Sequence, residues 1–375
     1  MKLISQKIRL IIALLLPFIG INQLTHWLFP VLSIILLLFS SKSRLHYPKT
    51  FINIALVYLF WILITGLISG NMYNPLRKFS ETVLLITWSI LIINLFMQQK
   101  EIMVKTIFYT GIIVSVYILL NLDGLLINFN NLPFGKNGIA LFLFTSLVFG
   151  FGTKNTKIKY FGILIIVIII FLSGSLKNIF ATLIVFGYQF RSFFKLKFSY
   201  LIFPLLMGVI ISYLNEIELF LSTFTPYLFA LSKTQALLGL TPELGFALDQ
   251  ISKREELIEG GMELFYNNPF FGIGLENSRL FLSTYTHNHF VELLASMGVF
   301  GFFVFSLFYI PFFKFNFRSI NFGLILFLSF MLMGLSNRLY DNYSFFLLLS
   351  FGWAALISNS SNHIFYKNKT DFPNL

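Results

Sequence analysis

The chain contains no cysteine and few charged residues, and each scarcity excludes a class of protein. Without cysteine among its 375 residues, it has no disulfide, no thiolate metal site and no cysteine nucleophile. Charged residues make up only 11% of the sequence, against about 25% in an ordinary globular protein. A soluble enzyme and a disordered chain are therefore both excluded.

The abundant residues are apolar. Hydrophobic residues make up 57% of the chain, and 49 residues are phenylalanine. A single soluble core of this size could not bury that much apolar surface. The composition therefore predicts an all-α, polytopic integral membrane protein.

The apolar residues form runs that are long enough, or nearly long enough, to cross a bilayer, and they predict about twelve transmembrane helices. The predicted spans are residues 8–22, 27–40, 51–69, 80–97, 102–121, 138–152, 160–174, 176–190, 199–215, 289–313, 320–336 and 343–358. The predicted division is a transmembrane bundle (1–215), a long extracytoplasmic loop (216–288), three C-terminal transmembrane helices (289–358) and a cytoplasmic tail (359–375).

The net charge of +12 is spread between the apolar runs, which argues against nucleic-acid binding. With the N-terminus inside, most of the 27 Lys and Arg residues fall in short inner loops, as the positive-inside rule requires. Both termini are then cytoplasmic. In the outer loop, "QISKREELIEGGMELF" predicts a short amphipathic helix on the membrane surface, broken near Gly260–Gly261.

Two histidines close this loop, in "THNHFVELLASMGVFGFF", where the next span begins. Asn288 is predicted to cap that helix, which puts His287 at a helix N-terminus that disfavours imidazolium and favours an anion such as a phosphate. A neutral imidazole is the form that a general base requires. Gly298 follows His287 by roughly three helical turns, which predicts a shared helix face, and Gly298 with Gly301 permits close helix packing. A capped span with an interfacial histidine has the same spacing.

The histidine stretch resembles a known signature. His287-Asn288, followed further on by the Gly-Val-Phe-Gly of residues 298–301, is similar to the signature of the O-antigen ligase and polysaccharide repeat-unit polymerase superfamily. "NPFFGIGLENS" is similar to the Pro-x-x-Gly-x-Gly segment of that family, which adds Gly272 and Gly274 as structural residues. Arg254 matches the basic position before that segment, and "LPFGKNGIALFLF" is similar to the family's Asn-containing entry into a middle span.

The resemblance implies a metal-independent glycosyltransferase of the bacterial cytoplasmic (inner) membrane that needs no soluble cofactor. Its donor is a glycan on undecaprenyl pyrophosphate, and its acceptor is a second lipid-linked glycan. A hydroxyl of the acceptor sugar attacks the anomeric carbon, and the lipid pyrophosphate leaves. By resemblance, His287 is the base that takes the acceptor proton and Arg254 holds the pyrophosphate. The lipid bilayer, a chain-length regulator and a flippase are further candidate partners.

One position departs from the family pattern. Family members often carry a Ser-Arg pair after a middle span, whereas this chain reads "LSGSLKNIF", with Leu176 at the arginine position. Lys177 follows it and supplies a point charge without the guanidinium fork. Arg77, Lys78 and Arg338 are basic residues on the outer side, against the charge rule, and are further candidates for substrate binding. Headgroup anchoring is the alternative role for each.

Acidic and polar residues near the histidines complete the predicted site. Glu292 lies one turn into the span, where a carboxylate is costly enough to indicate a role. It could orient a donor sugar or accept a hydrogen bond from His289, or it could simply favour the helix N-terminus. Asn288 and His289 are predicted to bind substrate with it, whereas Glu276 and Arg279 are interpreted as ordering the loop. The sequence predicts no metal site.

Three functions remain open at this point. We favour a polymerase that joins lipid-linked repeat units into O-antigen, capsular polysaccharide or exopolysaccharide. A ligase that moves finished glycan onto a different acceptor would use the same site. A polytopic glycolipid flippase or transporter is the alternative from another class, but the outer clustering of charges, the one dominant loop and the lack of a visible repeat argue against it.

Overall fold

The computed structural model describes residues 2–18, 23–40, 48–120, 135–153, 157–173, 175–189, 244–282, 284–313, 322–335 and 339–361. These residues form helices joined by turns, without a strand, so the prediction of an all-α chain is confirmed for them. The helices are α1 (Lys2–Leu15), α2 (Gln23–Ser40), α3 (Lys49–Ile68), α4 (Tyr73–Leu120), α5 (Gly135–Phe151), α6 (Lys157–Leu172), α7 (Leu176–Gln189), α8 (Leu244–Asn267), α9 (Ser278–Leu282), α10 (His289–Ser306), α11 (Ile310–Phe313), α12 (Phe322–Gly334) and α13 (Tyr343–Ser361).

The long helices are apolar even where they are exposed. Helices α3 and α4 and the helical stretch His289–Phe313 are each long and apolar enough to cross a membrane. The exposed side chains of α3 include Leu56, Phe60 and Leu67. A helix in water would present polar residues on that face, so the protein is an integral membrane protein. The number of about twelve spans stays a prediction.

Helix α1 begins before the first predicted span. We predicted residues 8–22, but α1 begins at Lys2 and ends at Leu15, and a short 3₁₀ turn that contains Pro17 follows it. Proline has no backbone N–H to continue the α-helical hydrogen bonds, which explains the early end. The predicted span 199–215 lies outside the described residues.

Two predicted spans meet at a kink. The runs 80–97 and 102–121 lie on either side of Gln99, whose backbone is not helical (φ −146°, ψ 46°), so α4 consists of two helical parts. Residue 121 lies outside the described residues. The side chain of Gln99 accepts a hydrogen bond from Gln6 Nε2 at 2.8 Å and donates one to the Ser40 carbonyl at 3.5 Å. The kink is therefore tied to α1 and α2 through amide groups that would otherwise lie unpaired in an apolar region.

The chain divides into two compact units, Met1–Ile107 with Lys253–Lys367, and Phe108–Ser252 with Asn368–Leu375. In the second unit α5 packs against α6 and α7. Glycines permit this packing: a Cβ on Gly150 would lie 2.6 Å from the ring of Phe108. Lys159 is buried and donates to the carbonyls of Phe151 and Thr153, both at 3.1 Å, which satisfies the C-terminal end of α5.

Aromatic side chains hold the first unit together. Phe51 and Tyr58 of α3 pack edge-on against Phe308, with ring centroids 5.5 and 5.7 Å apart. Phe345 of α13 stacks on Phe305 of α10 at 6.3 Å. All five rings are buried. Edge-to-face pairs contribute about 0.5–1.5 kcal/mol beyond the burial of their area, so the many phenylalanines serve internal packing as well as lipid contact.

Helix α10 is interrupted at Gly298, and the interruption binds the loop that follows α8. Gly298 has φ 65° and ψ −174°, a combination that is essentially restricted to glycine. Backbone N–H groups on both sides donate across the contact: Ile273 to Ala295 at 3.0 Å, Gly274 to Ser296 at 2.8 Å, and Val299 to Pro269 at 2.8 Å. We call the paired segments 269–274 and 295–299 the glycine junction.

The glycine junction requires close approach at several positions. A Cβ on Gly272 would lie 2.6 Å from the Ser296 carbonyl oxygen, and a Cβ on Gly298 would collide with the Phe270 carbonyl. Trp61 of α3 completes the contact, since its indole N–H donates to the Met297 carbonyl at 2.9 Å. A Cβ on Gly301, one turn further along α10, would lie 2.8 Å from the Trp61 ring. These distances leave no room for larger residues.

We expect Gly298→Ala to destabilise the protein. An L residue in this backbone conformation costs about 1–3 kcal/mol, and the added Cβ would also meet the Phe270 carbonyl. Gly187→Ala in α7 is the matched control, because a Cβ there meets nothing within 4 Å and alanine favours a helix. Thermal unfolding in detergent should show a lower midpoint for Gly298→Ala alone. Equal midpoints for the two variants would contradict the strain at Gly298.

Candidate functional site

The predicted site lies on the segment between α9 and α10, of which residues 284–288 are described; we call it the His287 loop. Asn288 is the N-cap of α10, as predicted, and its Oδ1 accepts hydrogen bonds from the backbone N–H groups of Phe290 and Val291 at 3.0 and 3.3 Å. His287 is half-buried and precedes the cap, with a φ of 56°. It therefore lies outside the helix. Because α10 is also interrupted at Gly298, the predicted shared helix face of His287 and Gly298 is wrong.

A buried carboxylate holds this loop. Glu292 is fully buried in the first turn of α10. Its oxygens accept hydrogen bonds from three donors, namely Ser278 Oγ at 2.6 Å, the backbone N–H of Thr286 at 3.0 Å and Ser296 Oγ at 3.3 Å. The donors belong to α9, the His287 loop and α10, so one charge joins all three. Glu292 therefore contacts the His287 loop from the protein interior, and the donors to its carboxylate do not include His289, which we predicted as one possible partner.

His289 is buried and faces the protein interior. Its Nδ1 accepts a hydrogen bond from the backbone N–H of Leu339 at 3.3 Å, and its ring stacks on Tyr340 at 5.9 Å. The side chain thus joins α10 to the segment that precedes α13. The side chain packs in the interior, and its predicted binding of substrate stays a prediction.

Helix α8 approaches the His287 loop through two glycines. The helix is continuous through Gly260 and Gly261, so the break predicted there was wrong. A Cβ on Gly260 would lie 2.6 Å from Leu282 Cδ2, and one on Gly261 would lie 2.5 Å from Thr286 Cγ2. The two glycines therefore bring α8 against the segment that carries the loop, and they do not end the helix.

Arg254 lies on the face of α8 that contacts the loop. It precedes Gly261 by about two helical turns, which puts the two residues on one face of the helix. Arg254 is half-buried, whereas the other charged side chains between residues 253 and 263 are exposed. Among the described residues, it has no carboxylate partner. The structure therefore gives Arg254 an uncompensated positive charge on the loop-facing side of α8.

A cluster of charged side chains lies next to the His287 loop, at the N-terminal end of α4. Its central member is Glu276, which is 1% exposed and has a positive φ of 65°. The carboxylate contacts Arg77 Nη2, Lys78 Nζ at 3.2 Å and Arg279 Nη2 at 3.6 Å. A buried carboxylate needs such partners, so the contacts fix the loop of Glu276 against α4.

Lys78 extends the cluster to two further carboxylates. Its ammonium group contacts Glu81 and, at 2.9 Å, Asp341, and its side chain is only 7% exposed. We call Arg77, Lys78, Glu81, Glu276, Arg279 and Asp341 the charged cluster. Its formal charges balance, with as many cations as carboxylates.

The other basic residues that we predicted to bind substrate differ in their partners and in their burial. Arg77 and Lys78, which we predicted to bind substrate, contact carboxylates of the protein itself. Lys177 is half-buried in the first turn of α7, in the second compact unit. Arg338 and the side chain of Leu176 lie outside the described residues. Substrate binding by these residues stays a prediction.

Two parts of the charged cluster and one aromatic residue were missed by the sequence analysis. Glu81 follows Lys78 by one turn, a spacing that predicts an ion pair and could have been recognised. Asp341 is distant in sequence, and no local pattern indicates its contact with Lys78. Tyr285 lies against His287, with ring centroids 4.0 Å apart, and nothing in its spacing distinguishes it from an interfacial aromatic residue.

The described residues contain no group of three or more His, Asp or Glu side chains that could hold a metal ion. The chemistry available at the His287 loop is that of an imidazole, an uncompensated guanidinium on the facing helix and the positive end of α10.

Comparison with known proteins finds one family model that matches part of the chain. Residues 161–306 match the model of the O-antigen ligase family. The chain is similar to this family over that range. The matched range includes Arg254, the glycine junction and the His287 loop, and it ends at Ser306, the last residue of α10. The resemblance found in the sequence is thereby confirmed. No curated protein matches the chain.

We expect Glu276→Gln to destabilise the protein. Removing one partner from a buried ion pair costs about 3–5 kcal/mol, and the remaining carboxylates near Lys78 should reduce this loss to about 2–4 kcal/mol. Glu101→Gln, which removes the exposed i,i+4 pair with Lys105, is the control and should cost about 0.5 kcal/mol or less. Unfolding in detergent measures both, and equal losses would contradict a central role for Glu276.

Proposed function

We propose that the protein polymerises undecaprenyl-pyrophosphate-linked oligosaccharide repeat units into O-antigen, capsular polysaccharide or exopolysaccharide, on the outer face of the bacterial cytoplasmic membrane. The observation that carries the proposal is the juxtaposition at the His287 loop. A half-buried histidine precedes the N-terminus of α10, and the α8 face that bears Arg254 packs against the same loop. The family match over residues 161–306 supports a lipid-linked glycan as substrate.

In this proposal His287 is the general base. It takes the proton from a hydroxyl of the acceptor sugar as that oxygen bonds to the anomeric carbon of the donor. The bond between the anomeric carbon and the pyrophosphate oxygen breaks, and the lipid pyrophosphate leaves with the electron pair. General-base catalysis of this kind contributes about 10²–10⁴-fold to a rate.

Arg254 is the proposed partner of the leaving pyrophosphate. A guanidinium group binds phosphate oxygens through two parallel N–H donors, and it stabilises the negative charge as the bond to the sugar breaks. Arg254 suits this role better than Lys78, because the charge of Lys78 is already opposed by Glu276 and Asp341. Since the guanidinium carries the leaving-group charge, the proposed reaction is independent of a metal ion.

A ligase is the second candidate, and the name of the matched family favours it. It would transfer the lipid-linked glycan to an acceptor other than a second repeat unit. The two reactions share the same bond changes at the anomeric carbon. They differ only in the acceptor, so an assay that varies the acceptor separates them.

We expect His287→Ala to abolish polymer formation. The assay mixes the purified full-length protein in detergent with the host's lipid-linked repeat unit and resolves the products on a gel. Wild type should give a ladder, and His287→Ala should reduce the rate at least about 100-fold, since the base is lost. Tyr266→Ala is the control, because Tyr266 is 70% exposed on α8. Thermal unfolding confirms that each variant is folded.

The outcomes of this assay separate the candidate functions. An unchanged ladder for His287→Ala would contradict the general-base role. Transfer by the wild type only after a distinct acceptor is added would identify a ligase. No transfer under either condition, with folded protein and native substrate, would favour a flippase or transporter.

We expect Arg254→Lys to lower the rate about tenfold or more. Lysine keeps the charge but cannot donate two parallel hydrogen bonds to a phosphate. Lys253→Arg is the matched control. Lys253 is next to Arg254 but its side chain is exposed, and the substitution leaves its charge unchanged. The same gel assay, followed over time at several donor concentrations, measures the effect. Wild-type activity in Arg254→Lys would contradict bidentate pyrophosphate binding there.

A further inference from the structure

Tyr285 and His287 form a pair of contacting rings on the His287 loop. Their centroids are 4.0 Å apart, and their planes are inclined by 42°. Both side chains are half-buried, so each has one side against the protein and another toward the surroundings. At this separation the phenol ring occupies one side of the imidazole and blocks its rotation toward that side. Tyr285 therefore limits the orientations that are open to His287.

The residue between the two rings fixes the backbone. Thr286 is fully buried; its N–H donates to Glu292 Oε2 at 3.0 Å, and its hydroxyl donates to the Asn288 carbonyl at 2.9 Å. Asn288 in turn caps α10. With Thr286 held inward, the side chains on either side of it lie away from Glu292. The loop thus presents Tyr285 and His287 together on a backbone that is hydrogen-bonded at both ends of His287.

Arg279 is the second side chain that contacts the Tyr285 ring. The guanidinium carbon of Arg279 lies 5.7 Å from the centroid of the Tyr285 ring, within the range of a cation–π contact. The same guanidinium group lies 3.6 Å from the carboxylate of Glu276, which is itself buried in the charged cluster. The contacts therefore run without a gap from Glu276 through Arg279 and Tyr285 to His287.

We propose that Tyr285 is a positioning residue for His287 and that Arg279 holds Tyr285 in place through its ring. The inference rests on the proposed role of His287 as the base. The flat ring restricts the imidazole to orientations in which one ring nitrogen faces the acceptor hydroxyl, and the charged cluster anchors the arrangement to α4. A displacement of about 1 Å at a reacting group can cost about 100-fold in rate, so removal of the ring should act on turnover.

The first test separates positioning from substrate binding. In the gel assay with the full-length protein, Tyr285→Leu should lower kcat about 10–100-fold and leave KM within about threefold. Tyr285→Phe should restore kcat to within about threefold of wild type, since only the ring is needed. Tyr266→Leu, at an exposed tyrosine on α8, is the matched control. An unchanged kcat in Tyr285→Leu, or a raised KM with unchanged kcat, would overturn the proposal.

Arg279 is tested in the same way. Arg279→Lys keeps a cation for the Tyr285 ring and should stay close to wild type, whereas Arg279→Met should lower kcat about 3–10-fold with little change in KM. A raised KM with unchanged kcat in Arg279→Met would mean that Arg279 binds the substrate, and its assigned role would be wrong.

The second test does not depend on turnover. Diethyl pyrocarbonate acylates exposed imidazole nitrogens, and peptide mass spectrometry gives the rate at His287, with His287→Ala as the control for peptide assignment. Tyr285→Leu should acylate several-fold faster than wild type because the covering ring is gone, and Tyr285→Phe should match wild type. Equal rates in all three proteins would overturn the inference even if polymer forms. Faster acylation without any polymer in the wild type would support it and count against the proposed function alone.

Discussion

The carboxylate of Glu292 is the interaction on which the arrangement of the site depends. A buried carboxylate must accept hydrogen bonds from protein donors, because water cannot reach it. Its donors here come from Ser278, Thr286 and Ser296, one each from α9, the His287 loop and α10. These hydrogen bonds hold the three segments together at the carboxylate. The position of His287, one residue beyond Thr286, follows from that placement.

Charge balance decides which cations are available to a substrate. In the charged cluster, the buried carboxylate of Glu276 opposes Arg77, Lys78 and Arg279, and leaving a buried carboxylate without its partners is costly. Arg254 stands apart, because it is half-buried on the loop-facing side of α8 and has no carboxylate partner among the described residues. A structural cation and a candidate phosphate ligand therefore differ in whether a carboxylate contacts them. Their positions in the sequence do not reveal this difference.

Local sequence features correctly predicted part of the fold and part of the candidate site. The helical fold and the N-cap at Asn288 depend on composition and on a few neighbouring residues, and both are present in the structure. The glycines at 260 and 261 were misinterpreted as a break because propensity describes an isolated helix, whereas here a close approach to Leu282 and Thr286 requires them. The contact of Lys78 with Asp341 joins distant parts of the chain, and no local pattern carries information about it.

The glycine junction and the His287 loop are connected through one residue. The carbonyl of Ser296 accepts the backbone N–H of Gly274 at 2.8 Å, and its hydroxyl donates to Glu292 at 3.3 Å. The Pro-x-x-Gly-x-Gly segment therefore reaches the loop through Ser296 and Glu292, and Gly298 allows the close backbone approach that places Ser296 there. Two sequence motifs that are separate along the chain form a single support. In the proposed reaction their glycines act through the carboxylate of Glu292, because they set the position of the group that holds the His287 loop.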